Sequence, residues 1–172
     1  GLPGACQYGF HEGGSHDRGR GRSEDFELGI SEVGISDHTA VGRLYQSQLD
    51  WSWLILQYHK FSGADISRYM PFVKQSVIFY DEHYRYRCKQ RTGRELDEDG
   101  KLLIYPSNAL EEHWNARNPT SVIAGMRRIL NELMVLPEKY TSEAEKERWQ
   151  TILGRLPEMP SAPKTIPATI PT

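Results

Sequence analysis

Cysteine is nearly missing from this chain. Cys6 and Cys88 are the only two in 172 residues, far apart and outside any metal or redox spacing, so neither a disulfide framework nor a zinc motif organises it. They can pair or stay free, and the count does not fix a compartment. His11 and His16 lack the spacing of a zinc pair backed by further ligands, so no metal and no cofactor is expected. A run of about 18 apolar residues is also missing, which excludes a membrane-spanning helix. Charge of one sign is not in excess either. With 21 basic against 23 acidic residues and a net charge of −2, no basic field recommends nucleic acid or an acidic membrane surface as the partner.

What is present is unevenly spread. Residues 1–42 hold ten of the fifteen glycines and few apolar side chains, so burial does not offset ordering entropy and the segment reads as poorly ordered. Its Arg18-Gly19-Arg20-Gly21-Arg22 alternation looks like an RNA-binding tract, but it is one short instance with Ser23-Glu24-Asp25 directly behind it. Residues 158–172 are rich in Pro and Thr and read as a tail or linker. The chain begins at Gly1, and its first methionine is Met70, so both ends read as cut from something longer.

Residues 43–157 carry the fold. Leu44, Leu49, Trp51, Leu54, Ile55, Tyr58 and Phe61 fall mostly at three- and four-residue steps and predict a helix to Ser62, buried on more than one face. Gly63 ends it. Asp65 can cap a following turn, and Pro71 restarts a helix running to about Cys88 through Phe72, Val73, Val77, Tyr80 and Tyr84. Asn118-Pro119 reads as an N-cap followed by proline at the first helical position, opening a helix to about Leu136 with Ile123, Met126, Leu130, Leu133 and Leu136 on one stripe. Thr141 or Ser142 caps a last helix to Leu156, with Glu145 three residues after Ser142 as a capping box and Ala144, Trp149, Ile152, Leu153 and Leu156 as its buried side. Short links make these helices two antiparallel hairpins in a mainly α fold.

Between the hairpins lies the densest functional signal. Asp99-Gly100 is a turn pair, and Lys101 to Tyr105 is long enough for a brief strand that Pro106 stops. Then comes an aperiodic stretch with Glu111, Glu112, His113, Trp114, Asn115 and Arg117. An irregular loop between rigid flanks is where functional side chains tend to sit. The plainer reading makes both glutamates solvated surface groups and Trp114 a core filler.

The Asp99-Gly100-Lys101-Leu102 turn, Tyr105-Pro106-Ser107 and Glu111, followed by Asn118-Pro119-Thr120 and Ala124-Gly125, resemble the six-hairpin (α/α)6-toroid glycoside hydrolases. The likeness is nearest to the family 95 α-L-fucosidase-like group and its uncharacterised relatives. Trp51 to Asp81, with its Tyr-x-x-x-Ser-Gly-Ala-Asp turn, matches an earlier hairpin of the same group. The resemblance implies an inverting hydrolase acting on oligosaccharides or polysaccharides of plant or host glycans, secreted or periplasmic. It puts the general acid on Glu111 and sugar contacts on Asn108, His113, Trp114 and Asn115, with Asp50 as a second wall carboxylate. Trp114 and Tyr105 would supply the apolar wall that raises the acid's pKa. The toroid needs six hairpins and about two are here, so the water-activating base is expected beyond Thr172 and the fragment alone is expected to be inactive. Its open flanks should leave Trp53, Ile55, Phe79 and Met134 partly exposed and favour self-association. Two departures stand out: Val122 replaces an acidic residue usual in the relatives, and residues 1–42 match nothing in the group.

The rival reading is a non-catalytic helical-repeat scaffold in which Trp51, Trp53, Trp114 and Trp149 all pack and the loop is a surface connection. A third keeps an enzyme but makes it a lyase or epimerase, because toroids host several chemistries.

Overall fold

The computed structural model describes residues 45–107 and 116–159. The glycine-rich N-terminal segment and the tail from residue 160 lie outside them. Four helices make up the described part: α1 (Gln46–Ser62), α2 (Met70–Thr92), α3 (Thr120–Val135) and α4 (Glu143–Arg155). The expected mainly α class holds. α1 packs on α2 and α3 on α4, as two hairpins should, but the broadest contact is between α1 and α3, and α3 touches all three of the others. Gly125 lies at this contact, facing Leu49 of α1. A Cβ there would stand 3.2 Å from Leu49 Cδ1.

Local chemistry sets the boundaries. Gly63 and Gly93 take up left-handed backbone at φ 67° and 76° and return their N–H groups to His59 and Lys89, closing α1 and α2. α2 therefore runs past Cys88 to Thr92, because Lys89, Gln90 and Arg91 continue the helix until the first glycine. Asp65 caps the turn into α2: its Oδ1 accepts from the Ser67 N–H at 3.0 Å and the Ser67 hydroxyl at 2.7 Å. The Ser142 capping box is present in both directions. The brief strand expected over Lys101 to Tyr105 is absent. Leu102 and Ile104 are buried and their neighbours half-exposed, so the period is that of an extended chain. No strand lies beside it among the described residues, and the Leu102 and Ile104 N–H groups go to the Arg155 carbonyl and Asn118 Oδ1 instead.

The core is one cluster. Leu49 and Leu56 of α1 meet Val73, Val77, Tyr80 and Tyr84 of α2, the Ile123, Met126, Leu130 and Leu133 stripe of α3, and Trp149, Ile152 and Leu156. Trp149 is wholly enclosed and donates its indole N–H to the Thr141 hydroxyl at 3.1 Å, the partner a buried indole needs. Val122, where the resembled group has an acid, is core. Three expectations change. Phe79 is buried, edge-on to Tyr45 at 5.1 Å, whereas Trp53, Ile55 and Met134 are part-buried. Ala144 is exposed, and Leu153 is only partly covered. In α1 the buried side is Gln48, Leu49, Ser52 and Leu56, whereas Trp51, Leu54, Tyr58 and Phe61 face outward.

Ion pairs tie α4 to α2. Asp81, buried, accepts from Arg155 Nη1 at 3.1 and 3.0 Å and from Arg85 Nε at 3.1 Å. Lys74 Nζ lies 2.6 Å from Glu145 Oε1. Partial burial pushes the Glu145 carboxyl up, but Lys74 and the Ser142 N–H outweigh it and hold it below the ordinary carboxylate range. Its stabilisation is therefore complete above the unfolded value of about 4.3 and is lost as pH falls through the lower folded value. Glu145→Gln should cost about 1 kcal/mol at neutral pH by weakening the cap, a drop of about 2–4 °C in Tm for a chain this size. It should also flatten the acid side of the stability curve. Thermal melts from neutral to strongly acid pH check this, and an unchanged midpoint with an unchanged acid slope would refute it.

Candidate functional site

The connection between α2 and α3 is built on a fastened stem. Ile104 donates its N–H to Asn118 Oδ1 at 2.9 Å, and the Asn118 N–H returns to the Ile104 carbonyl at 2.9 Å. Asn118 makes both bonds at φ 51°, the left-handed backbone that Asn tolerates best among residues with a Cβ. Next, Ser107 and Ala116 exchange both backbone hydrogen bonds, at 3.2 and 2.7 Å. Ser107 and Ala116, which flank the Glu111 segment in sequence, are thus joined at one bridge. Arg91, in the last turns of α2, donates from Nη1 to the Tyr105 carbonyl at 2.7 Å and lays its guanidinium 4.9 Å from the Tyr105 ring centre. Lys101 Nζ reaches the Gly154 carbonyl at 2.7 Å, and Leu102 donates to the Arg155 carbonyl at 2.7 Å. The Tyr105–Pro106 peptide is cis.

This arrangement moves one expected role. Asn118 does not cap α3, because its side chain is committed to Ile104. Pro119, in extended backbone at φ −62° and ψ 132°, takes the N-cap position, and the helix begins at Thr120.

A file of buried polar groups runs along α2 towards the stem. Tyr80, His83, Tyr84, Arg87 and Arg91 stand at helical spacing, and the first four are buried. Their rings pack on each other: His83 stacks on Phe79 at 5.0 Å, meets Tyr84 edge-on at 5.0 Å and Tyr45 edge-on at 5.3 Å. The Tyr80 hydroxyl lies against the Gln48 amide without a hydrogen bond of good geometry, and both groups are buried. Burial, then the neighbouring Tyr84, push the Tyr80 phenol up, with the Gln48 contact pulling the other way, so it stays neutral. Its four buried members are enclosed in the core, and the file offers no acid–base pair by itself. Among the described residues no group of three or more His, Cys, Asp or Glu could hold a metal ion, and no helix is long and apolar enough to cross a membrane.

Of the residues expected to act, Asn108, Glu111, His113, Trp114 and Asn115 lie outside the described residues, on the segment the stem delimits. Asp50 is described. It is exposed, one turn into α1, yet its carboxyl rests close enough to the protein for lost hydration to raise its pKa. Tyr105, expected as bare apolar wall, is half-buried with one ring face covered by Arg91. A cation stabilises ionised carboxylates, so that face would lower rather than raise the pKa of an acid placed near it. Cys88 is a buried free thiol 3.6 Å from the Thr92 hydroxyl. Sequence reasoning missed Arg91 and the tethering role of Asn118. The α2 file did leave a signal, namely Tyr, His, Tyr and Arg recurring at three- and four-residue steps.

No protein-family model, curated protein or solved structure matches the chain.

The stem generates a graded expectation. Asn118→Asp keeps an acceptor and the backbone preference and should be nearly neutral. Asn118→Gly keeps the backbone but orphans the Ile104 N–H, costing about 1–3 kcal/mol. Asn118→Ala adds left-handed strain of roughly 1–2 kcal/mol to that. Urea midpoints give the order, and hydrogen exchange at the Ser107 and Ala116 amides should accelerate in the same order. Equal midpoints for the Asp and Ala variants would contradict the tether.

Proposed function

We propose that the chain is part of an inverting glycoside hydrolase of α-L-fucosidase-like type, acting on oligosaccharide or polysaccharide and working outside the cytoplasm. The observation that carries this reading is the stem. The segment with Glu111 starts and ends at one two-bond bridge, held by Asn118 against α3 and by Arg91 against α2. Rigid flanks of this kind suit a loop whose side chains must be positioned within fractions of an ångström. The side-by-side packing of α1 and α3 suits hairpins arranged around a ring.

In this reading Glu111 is the general acid. Its carboxyl gives a proton to the leaving glycosidic oxygen, while a base on a later hairpin, about 6.5–9.5 Å away, activates water on the opposite face of the sugar. Trp114 stacks on the ring, and Asn108, His113 and Asn115 bind hydroxyls. Because Arg91 covers one face of Tyr105, the apolar surroundings that keep the acid protonated come from Trp114. Two carboxyl groups and water suffice, so the mechanism asks for no cofactor. The uncovered apolar face of α1 favours a second reading, a non-catalytic helical scaffold or interaction module.

The test compares wild type, Glu111→Gln and Glu112→Gln in a chain that includes the further hairpins. General acid catalysis is worth roughly 10²–10⁴-fold, so Glu111→Gln should lose about that factor on glycosides with poor leaving groups while Tm hardly moves. Activated aryl glycosides should lose less, and Glu112→Gln should lose little on either. Equal turnover of wild type and Glu111→Gln on the unactivated substrate would remove Glu111 as the acid and leave the scaffold in front.

A further inference from the structure

We propose that the outer face of α1 is the contact between two copies of this chain, paired antiparallel about a twofold axis. Trp51, Leu54, Tyr58 and Phe61 are 58%, 55%, 57% and 83% exposed and form one stripe, opposite the side that Leu49 and Leu56 bury. Single exposed apolar residues are ordinary, but four large ones in a row along one helix face are not. Their steps of three, four and three are those of a coiled-coil seam over two heptads, the pattern that inserts side chains into a facing helix.

The same spacing selects the occupant. Read from either end the steps are three, four, three, so reversing the helix maps the stripe onto itself. Antiparallel pairing then sets Trp51 against the partner's Phe61 and Leu54 against the partner's Tyr58, a self-complementary patch of the kind a twofold interface requires. Antiparallel helix dipoles attract, whereas parallel pairing places like ends together. The area is sufficient as well. With large aromatic side chains burying roughly 150–250 Å² each, the exposed share of the four residues comes to roughly 500 Å² per copy. Two copies together then reach the roughly 1,000 Å² that marks the lower bound of a specific interface. Asp50 is the charged residue bordering the stripe, and the reversal brings it to the partner's Ser62 rather than to another acid. This pairing does not rest on the glycosidase reading.

Light scattering on the full chain at micromolar concentration should give a dimer. Leu54→Lys and Tyr58→Lys, both on the outward face, should each raise the dissociation constant by roughly 30-fold or more, as loss of a central interface anchor does, with helical circular dichroism unchanged. In a Cys6→Ser background, mixing Trp51→Cys with Phe61→Cys chains should give a disulfide-linked pair under mild oxidation. Trp51→Cys alone should not, because the two copies of that position stand about 15 Å apart along the paired helices at 1.5 Å per residue. A monodisperse monomer would overturn the proposal and leave the face to a following helix of a longer chain. Ready cross-linking of Trp51→Cys to itself, or an assembly that survives Leu54→Lys, would also overturn it.

Discussion

The described structure depends on one constraint, the need of α3 to bury its single apolar stripe. Ile123, Met126, Ile129, Leu130 and Leu133 are all fully enclosed, and they achieve this by meeting every other helix. Gly125 sits on the same helix and leaves Leu49 of α1 room to lie close against it. With α1 drawn against α3, the stripe of α4 closes from the other side through Trp149 and Ile152. α2 then completes the cluster from beside α1. Hydrophobic burial of this kind has no direction of its own, and the polar contacts at the rim add directional ties to it.

Those contacts are few and specific. Asp81 joins α2 to α4 through Arg155, and Glu145 joins them again through Lys74. Asn118 and Arg91 do the corresponding work for the connection between α2 and α3. Each lies where a backbone group would otherwise be left without a partner in a segment that has neither helix nor sheet to supply one. A stem of this sort can change its intervening residues without disturbing the core, which makes it a suitable base for a functional loop in either reading of the chain.

α2 is unusual in another respect. Its middle turns are enclosed on nearly all sides, yet beside Val77, Ile78 and Phe79 they bury tyrosines, a histidine and an arginine. Polar atoms buried together strengthen one another where they are paired and cost stability where they are not. Gln48 and Tyr80 face each other without a proper bond, a cost that an aliphatic pair in the same place would avoid. The file ends at Arg91, which holds the Tyr105 carbonyl, so the polar interior and the stem are contiguous.

The four helices were legible in the sequence because their signals are local. Period, glycine stops, Pro71 and the Ser142–Glu145 box act within a few residues, and α4 is bounded within one residue of where they point. The Ile123 to Leu133 stripe identified the core side of α3 for the same reason. What periodicity does not contain is which of two apolar faces finds a partner. On α1 the Trp51 to Phe61 face and the Leu49 and Leu56 face look alike in sequence, and only the approach of α3 chose between them. Asn118 carries the same lesson on a smaller scale. A capping residue and a tether for Ile104 need the same side chain, and the choice was made by a backbone N–H fourteen positions away in the chain. The extended run from Lys101 to Tyr105 kept its alternation but formed no strand, since a ladder needs a second strand and none of the described residues provides one.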